Sequence, residues 1–245
     1  MSRDNAFFQH DPGIQTHRIF RRFTLSQRLE HLILLLTGVV LLFTGLPQKY
    51  RTANWSSHLL STPERVETIQ KMHHIAAIIL ILLVIYHIGK AIVLLAKRNL
   101  PGDMLVNWQD VKDSWNMLRY ILFIAKRPPA FGKYNFEQKI TYWFIFFGIA
   151  IMLFSGIISW FPEIVTRVLP GGVIPAAKLA HSDEAIILAI FVVIWHLYHV
   201  IVERFNLSMF TGWLNEADML NYHSLEYKRL TGEITEITPP GSSQQ

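Results

Sequence analysis

The sequence predicts an all-α integral membrane protein, a bundle of four transmembrane helices made of two helical-hairpin repeats, with a cytoplasmic amphipathic helix between the second and third. Three observations carry that prediction. Of the 245 residues, 51% are hydrophobic and 17% charged, and the apolar ones gather in four long blocks. Lys and Arg crowd alternate connections. The two halves of the apolar region also repeat each other in chemistry.

The N-terminal arm, 1–28, holds Asp4, Asp11 and arginines from Arg3 to Arg28 but no apolar core, so it does not read as a signal peptide and the first span is expected to be retained. The apolar blocks run over about 29–46, 72–96, 140–161 and 181–202. At about 1.5 Å per residue each crosses a bilayer core of about 30 Å, and in lipid a lone segment satisfies its backbone only as a helix. Between the second and third blocks, "DMLVNWQDVKDSWNMLRYILFIAK" starts on a good N-cap, Asp103, and places Val111, Trp115, Leu118 and Leu122 at helical spacing. This is the amphipathic helix, expected to lie on the membrane face and to be closed by Pro128 and Pro129. The segment from 203 is a cytoplasmic tail, too polar to pack from Pro239 onward.

Orientation follows from the basic residues. The arm, the 97–139 loop and the tail hold 5, 8 and 3 of the 23 Lys and Arg, against 4 and 2 in the opposite loops, with Lys90 inside the second span. Both termini are therefore expected in the cytoplasm. The net charge of +5 is a topology signal and a match to anionic headgroups; it calls for no nucleic acid. With no cysteine, disulfides, thiolate metal sites, iron–sulfur clusters and covalently attached haem are excluded. A metal must be held by histidine or oxygen.

The repeat is weak in identity and consistent in chemistry. "QRLEHLILLLTGVVLLFTGL" and "QKITYWFIFFGIAIMLFSGI" end alike in Thr44-Gly45 and Ser155-Gly156. His73 and His181 are each followed, after three residues, by "AIIL"; farther on, "IYHIGKAIV" answers "IWHLYHVIV". Seven of the eleven histidines lie in or at the rims of the spans: His31, His73, His74, His87, His181, His196 and His199. His73 and His181 sit at the outer rim. His31, His87 and His196 lie 14 to 16 residues from that rim, about 21 to 24 Å inward. At about 100° per residue, both histidines of the second span, and both of the fourth, can face one interior.

A single membrane histidine is more often a hydrogen-bonded packing group, but two layers of them are not explained that way. A porphyrin iron takes two axial imidazoles from opposite sides, and a four-helix bundle offers facing helices, so the layers point to two stacked, non-covalent, bis-histidine b-type haems. His74, turned about 100° from His73, reads as a solvent or headgroup contact. His199 reads equally as a rim residue or as part of an inner site. Gly45 and Gly156, with Thr44 and Ser155, admit either a macrocycle or a neighbouring helix. Glu184 stands one turn past His181, where supporting a ligand through a hydrogen bond and a plain helix-terminus preference are both open. His10, His17, His58 and His223 lie outside the spans and are given no role.

"RLEHLILLLTGVVLLFTGLP", "YNFEQKITYWFIFFGIAIMLFSGIISWFPE", "HSDEAIILAIFVVIWHLYH", "FNLSMFTGWL" and "HSLEY" together resemble the four-helix dihaem cytochrome b subunits of the formate dehydrogenase gamma and hydrogenase cytochrome b superfamily. The resemblance covers about residues 20–230. It implies ligation of the inner haem by His31 with His196 and of the outer by His73 with His181. The helix-four histidines stand 15 apart rather than the family's 14, and the family has no counterpart of His87. The internal repeat favours His87 with His196 and the family favours His31; the family pairing is preferred, which leaves His87 for a hydrogen bond, a quinone contact or a third haem. The implied function is electron relay in the bacterial cytoplasmic membrane, between a quinone near the inner haem and an outer cytochrome c, iron–sulfur or molybdenum subunit. Such a subunit positions and tunes cofactors instead of carrying out bond chemistry. Glu30, His199 and the helix after Asp103 are the nearest candidates for a proton route. The alternative is a haem-free anchor or proton-coupled carrier with a histidine relay.

Overall fold

The computed structural model describes residues 6–8, 18–202 and 205–232; His10, His17 and the tail from Pro239 lie outside them. Its elements in order are β1 (Ala6–Phe8), β2 (Arg18–Arg21), α1 (Leu25–Lys49), α2 (Asn54–Leu59), α3 (Pro63–Ala96), α4 (Trp108–Ile121), α5 (Phe136–Trp160), α6 (Pro162–Val165), α7 (Val173–Phe191), α8 (Ser208–Thr211), β3 (Trp213–Asn215), α9 (Glu216–Tyr222) and α10 (Ser224–Thr231). The chain forms two compact units, one from residues 26–100 and 144–206, the other from 1–25, 101–143 and 207–245.

Among the described residues, four helices are long and apolar enough to cross a membrane: α1, α3, α5 and the run Val173–Val202. Each extends past the apolar block that signals it, because rim residues continue the helix into polar sequence. Thr62 caps α3, accepting from the Arg65 backbone N–H, and Pro63 opens it at a position where no N–H is needed. The distribution of side chains suits lipid. The buried positions in the spans include the small residues Thr37, Thr44, Ala76, Ser155 and Ala177 as well as Leu80, whereas Phe43, Leu82, Ile85, Phe154 and Ile194 face outward.

Past Phe191 the fourth span changes its winding. Val192–His196 and Tyr198–Val202 adopt the wider turn with i→i+5 hydrogen bonds, Leu197 N–H donating to the Val192 carbonyl. Winding an extra residue into the turn has a consequence for azimuth. His181 and His196 are 15 apart, which overshoots whole turns of a regular helix by about 60°. The wider turn, ending on His196, takes back part of that excess.

The other unit holds a small antiparallel sheet in the order β1-β2-β3, with Phe20 opposite Leu214 and Ile19 opposite Phe7 and Asn215. The sheet is an addition to the expected all-α architecture. Its core is Phe20, Leu214, Met219 and Tyr227, with the Phe20 and Tyr227 rings 5.5 Å apart and edge-on. His223 is fully buried and its Nδ1 lies 2.8 Å from the Gly132 carbonyl. The amphipathic helix begins later than expected: Asn107, not Asp103, caps it, and Asp110 returns the bond in a capping box. Asp103 belongs to the short turn Gly102–Met104. Asp110 also pairs with the buried Lys139 at 2.8 Å, tying α4 to the first turn of α5. The helix stops at Ile121, before the two prolines, because Phe123 takes a left-handed conformation (φ 59°) and turns its backbone N–H back to the Tyr120 carbonyl.

Candidate functional site

The four-span unit brings its histidines together in two pairs. His73 of α3 faces His181 of α7, ring centres 6.3 Å apart and planes at 70°; His31 of α1 faces His196 at the same 6.3 Å and 51°. All four rings are partly buried among the helices.

The first pair is held by a duplicated arrangement. Thr44 Oγ1 of α1 stands 2.9 Å from His73 Nδ1, and Ser155 Oγ of α5 stands 3.2 Å from His181 Nδ1, which also lies 3.0 Å from the Met152 carbonyl. The next residue on each helix is glycine, and the imidazole leans on it. A Cβ at Gly45 would meet His73 Cε1 at 3.4 Å, and one at Gly156 would meet His181 Cε1 at 3.0 Å. These glycines thus make room for the imidazoles themselves. On the same side, His74 turns away from His73 and stacks on Trp160 with ring centres 4.1 Å apart, while Lys49 joins α1 to Ser182 and Asp183.

His87 is not in either pair. Its Nδ1 lies 2.7 Å from Glu30 Oε2, and Lys90 Nζ reaches Glu30 Oε1 at 2.7 Å and Ser26 Oγ at 2.8 Å. Ser26 donates to Glu30 and lies 3.1 Å from the Tyr86 hydroxyl. The result is a polar group between α1 and α3, one residue from His31. His199 sits beside Trp195, ring centres 4.5 Å apart, with Nδ1 2.7 Å from the Trp195 carbonyl. Phe144, Phe191 and Trp195 continue that stack along an apolar groove that Ile187, Ile190 and Ile194 complete. Glu184 lies against Gly148, where a Cβ would come within 2.8 Å of its Oε1.

The geometry fits a metal shared by two imidazoles. With metal–nitrogen bonds of about 2.0–2.1 Å, ring centres of such a pair stand roughly 6 to 6.5 Å apart, which both pairs match. Among the described residues no group of three or more His, Cys, Asp and Glu gathers for a metal. Two imidazoles therefore suffice only where a macrocycle provides the remaining ligands, as a porphyrin does.

The family profile of the prokaryotic cytochrome b561 proteins matches residues 22–212, the four spans and the connections between them. This chain belongs to that family. As a prokaryotic cytochrome b561 protein it is a multi-pass membrane cytochrome b that serves electron transfer. It is similar to the cytochrome b556(fdo) subunit of formate dehydrogenase from Escherichia coli K12, 22% identical over 213 residues, covering 85% of this chain and 92% of that one. It is also similar to the formate dehydrogenase cytochrome b556 subunit of Haemophilus influenzae, 23% identical over 86% of this chain and 83% of that subunit. The nitrate-inducible b556(Fdn) subunit of Escherichia coli K12 aligns at 22% over 72% of this chain and 75% of its own length.

Sequence reasoning passed over Lys90 and Ser26 as partners of Glu30, Tyr86 as a partner of Ser26, and the carbonyl of Met152. It noticed Thr44 and Ser155 only as neighbours of glycine. Their recurrence at matching places in the two hairpins was the signal available.

Proposed function

We propose that the chain is the dihaem cytochrome b subunit of a membrane oxidoreductase complex, passing electrons between an outer redox partner and the quinone pool. The observation that carries the reading is the pair of facing imidazole pairs at one ring separation, at two levels of the same four spans. In it His73 and His181 hold the outer haem and His31 and His196 the inner, while His87 serves Glu30 instead of iron. A bound haem supplies a one-electron carrier at each level. The chain's own part is to hold the imidazoles, exclude water with outward apolar side chains, and keep charge near the inner level in the Glu30 network. That network and the Trp195–His199 groove are the polar and apolar features a quinone headgroup and tail would meet. Lys and Arg counts support a cytoplasmic placement of both termini. The similar formate dehydrogenase subunits support an outer partner of the oxidoreductase kind.

Reduced-minus-oxidised spectra and haem analysis of the purified chain test this. Two b-type haems per polypeptide, reducible by quinol in membranes, are expected. Spectra without b-type bands overturn the reading in favour of a haem-free carrier; haems that quinol does not reduce overturn the quinone part.

A further inference from the structure

The hydroxyls beside His73 and His181, acting with the backbone carbonyls of Leu41 and Met152, select which nitrogen of each ring carries the proton. A hydroxyl has one proton to donate. Thr44 donates its own to the Val40 carbonyl at 2.6 Å, and Ser155 donates to the Ile151 carbonyl at the same distance. Toward the imidazoles both oxygens have only lone pairs left, so Nδ1 must be the donor: His73 Nδ1–H to Thr44 Oγ1, and His181 Nδ1–H to Ser155 Oγ. The Met152 carbonyl, which only accepts, demands the same of His181. With the proton on Nδ1, the lone pair of the neutral ring lies on Nε2. The glycines then fix where that nitrogen points, because each ring rests against bare backbone at Gly45 or Gly156.

We propose that Thr44 and Ser155 are positioning residues of the outer haem site, which set the ligating tautomer of His73 and His181 and, by accepting from Nδ1–H, hold the outer haem at a lower potential than the same ligands would otherwise give. This rests on the haem assignment above. An acceptor on Nδ1–H makes the imidazole more basic, and a more basic ligand favours ferric over ferrous iron. The device is duplicated in the two hairpins, one hydroxyl to each ligand.

The test is an optical redox titration of the purified full chain with its haems, for wild type, Thr44→Val, Ser155→Ala, the double variant and Thr44→Ser, with low-spin ferric resonance spectra of each. In the double variant two haems are retained and one midpoint rises, so that at its original value the ratio of reduced to oxidised outer haem is about tenfold higher, 59 mV for a one-electron couple. The other midpoint stays, the single variants fall between, and Thr44→Ser behaves as wild type. Loss of the outer haem in Thr44→Val with retention in Thr44→Ser also supports the assignment. Two retained haems with unmoved midpoints overturn it, as does a shift equal in both haems or a Thr44→Ser protein that behaves like Thr44→Val. A wild-type chain without b-type haem overturns the parent reading as well, and haem content distinguishes that failure from the others.

Discussion

At one level of the four-span unit, His73 and His181 lean on Thr44, Gly45, Ser155 and Gly156, which carry no charge. At the other, His31 faces His196 next to a carboxylate that is paired with both Lys90 and His87. The ring separation is the same at both, so the difference lies in the surroundings. Neutral acceptors can orient an imidazole and tune it without adding charge at membrane depth. A charged group there is costly and usually functional. In the proposed reading, the contrast separates a haem level surrounded by neutral acceptors from one that also has an ion-paired carboxylate beside it.

Replacing the proposed ligands should break this contrast most severely. His181→Ala and His196→Ala are each expected to remove one haem of two, and His31→Ala to behave like His196→Ala, whereas His87→Ala keeps both; haem per polypeptide checks it. An empty inner site in His87→Ala alone would exchange the roles of His31 and His87. Next in size is Glu30→Gln, which strips Lys90 of its carboxylate partner. It should leave haem content intact and destabilise the α1–α3 contact by about 1.5–3 kcal/mol, as expected for hydrogen bonds to charged groups; thermal unfolding in detergent reads this out. The smallest effect distinguishes the two hairpins. Gly156→Ala forces His181 to move, costing about 1 kcal/mol of overpacking, seen as weaker haem retention on dilution. Gly45→Ala, with an ordinary contact of 3.4 Å, should remain near wild type.

The four spans were legible because twenty apolar residues leave the backbone no choice but a helix. The common place of His73 and His181 was legible in the repeat, since three residues separate each from "AIIL", and the resemblance implied that they pair. Whether His31 or His87 turned toward His196 was not, because spacing along a helix gives depth while azimuth between helices depends on packing. Glu30 settled that contact by drawing His87 to itself. The widened turn over Val192–Val202 had no signal among its β-branched residues. The sheet was hidden for a different reason: strands of three or four residues carry little periodicity, and β2 meets a partner nearly two hundred residues later. The start of α4 was a misjudged cap: Asn107 and Asp110 form the reciprocal box, and Asp103 ends in the preceding turn.

The pairing of Ile19 with Asn215 bears on how the molecule is made. During synthesis the early strand emerges long before its later neighbour, and all four spans are translated in the interval. The strand edge of Arg18–Arg21 must wait, available to chaperones or to other chains, until the last segment arrives. A ribosome stalled before Trp213 would thus leave a chain whose spans can insert but whose second strand lacks its later neighbour.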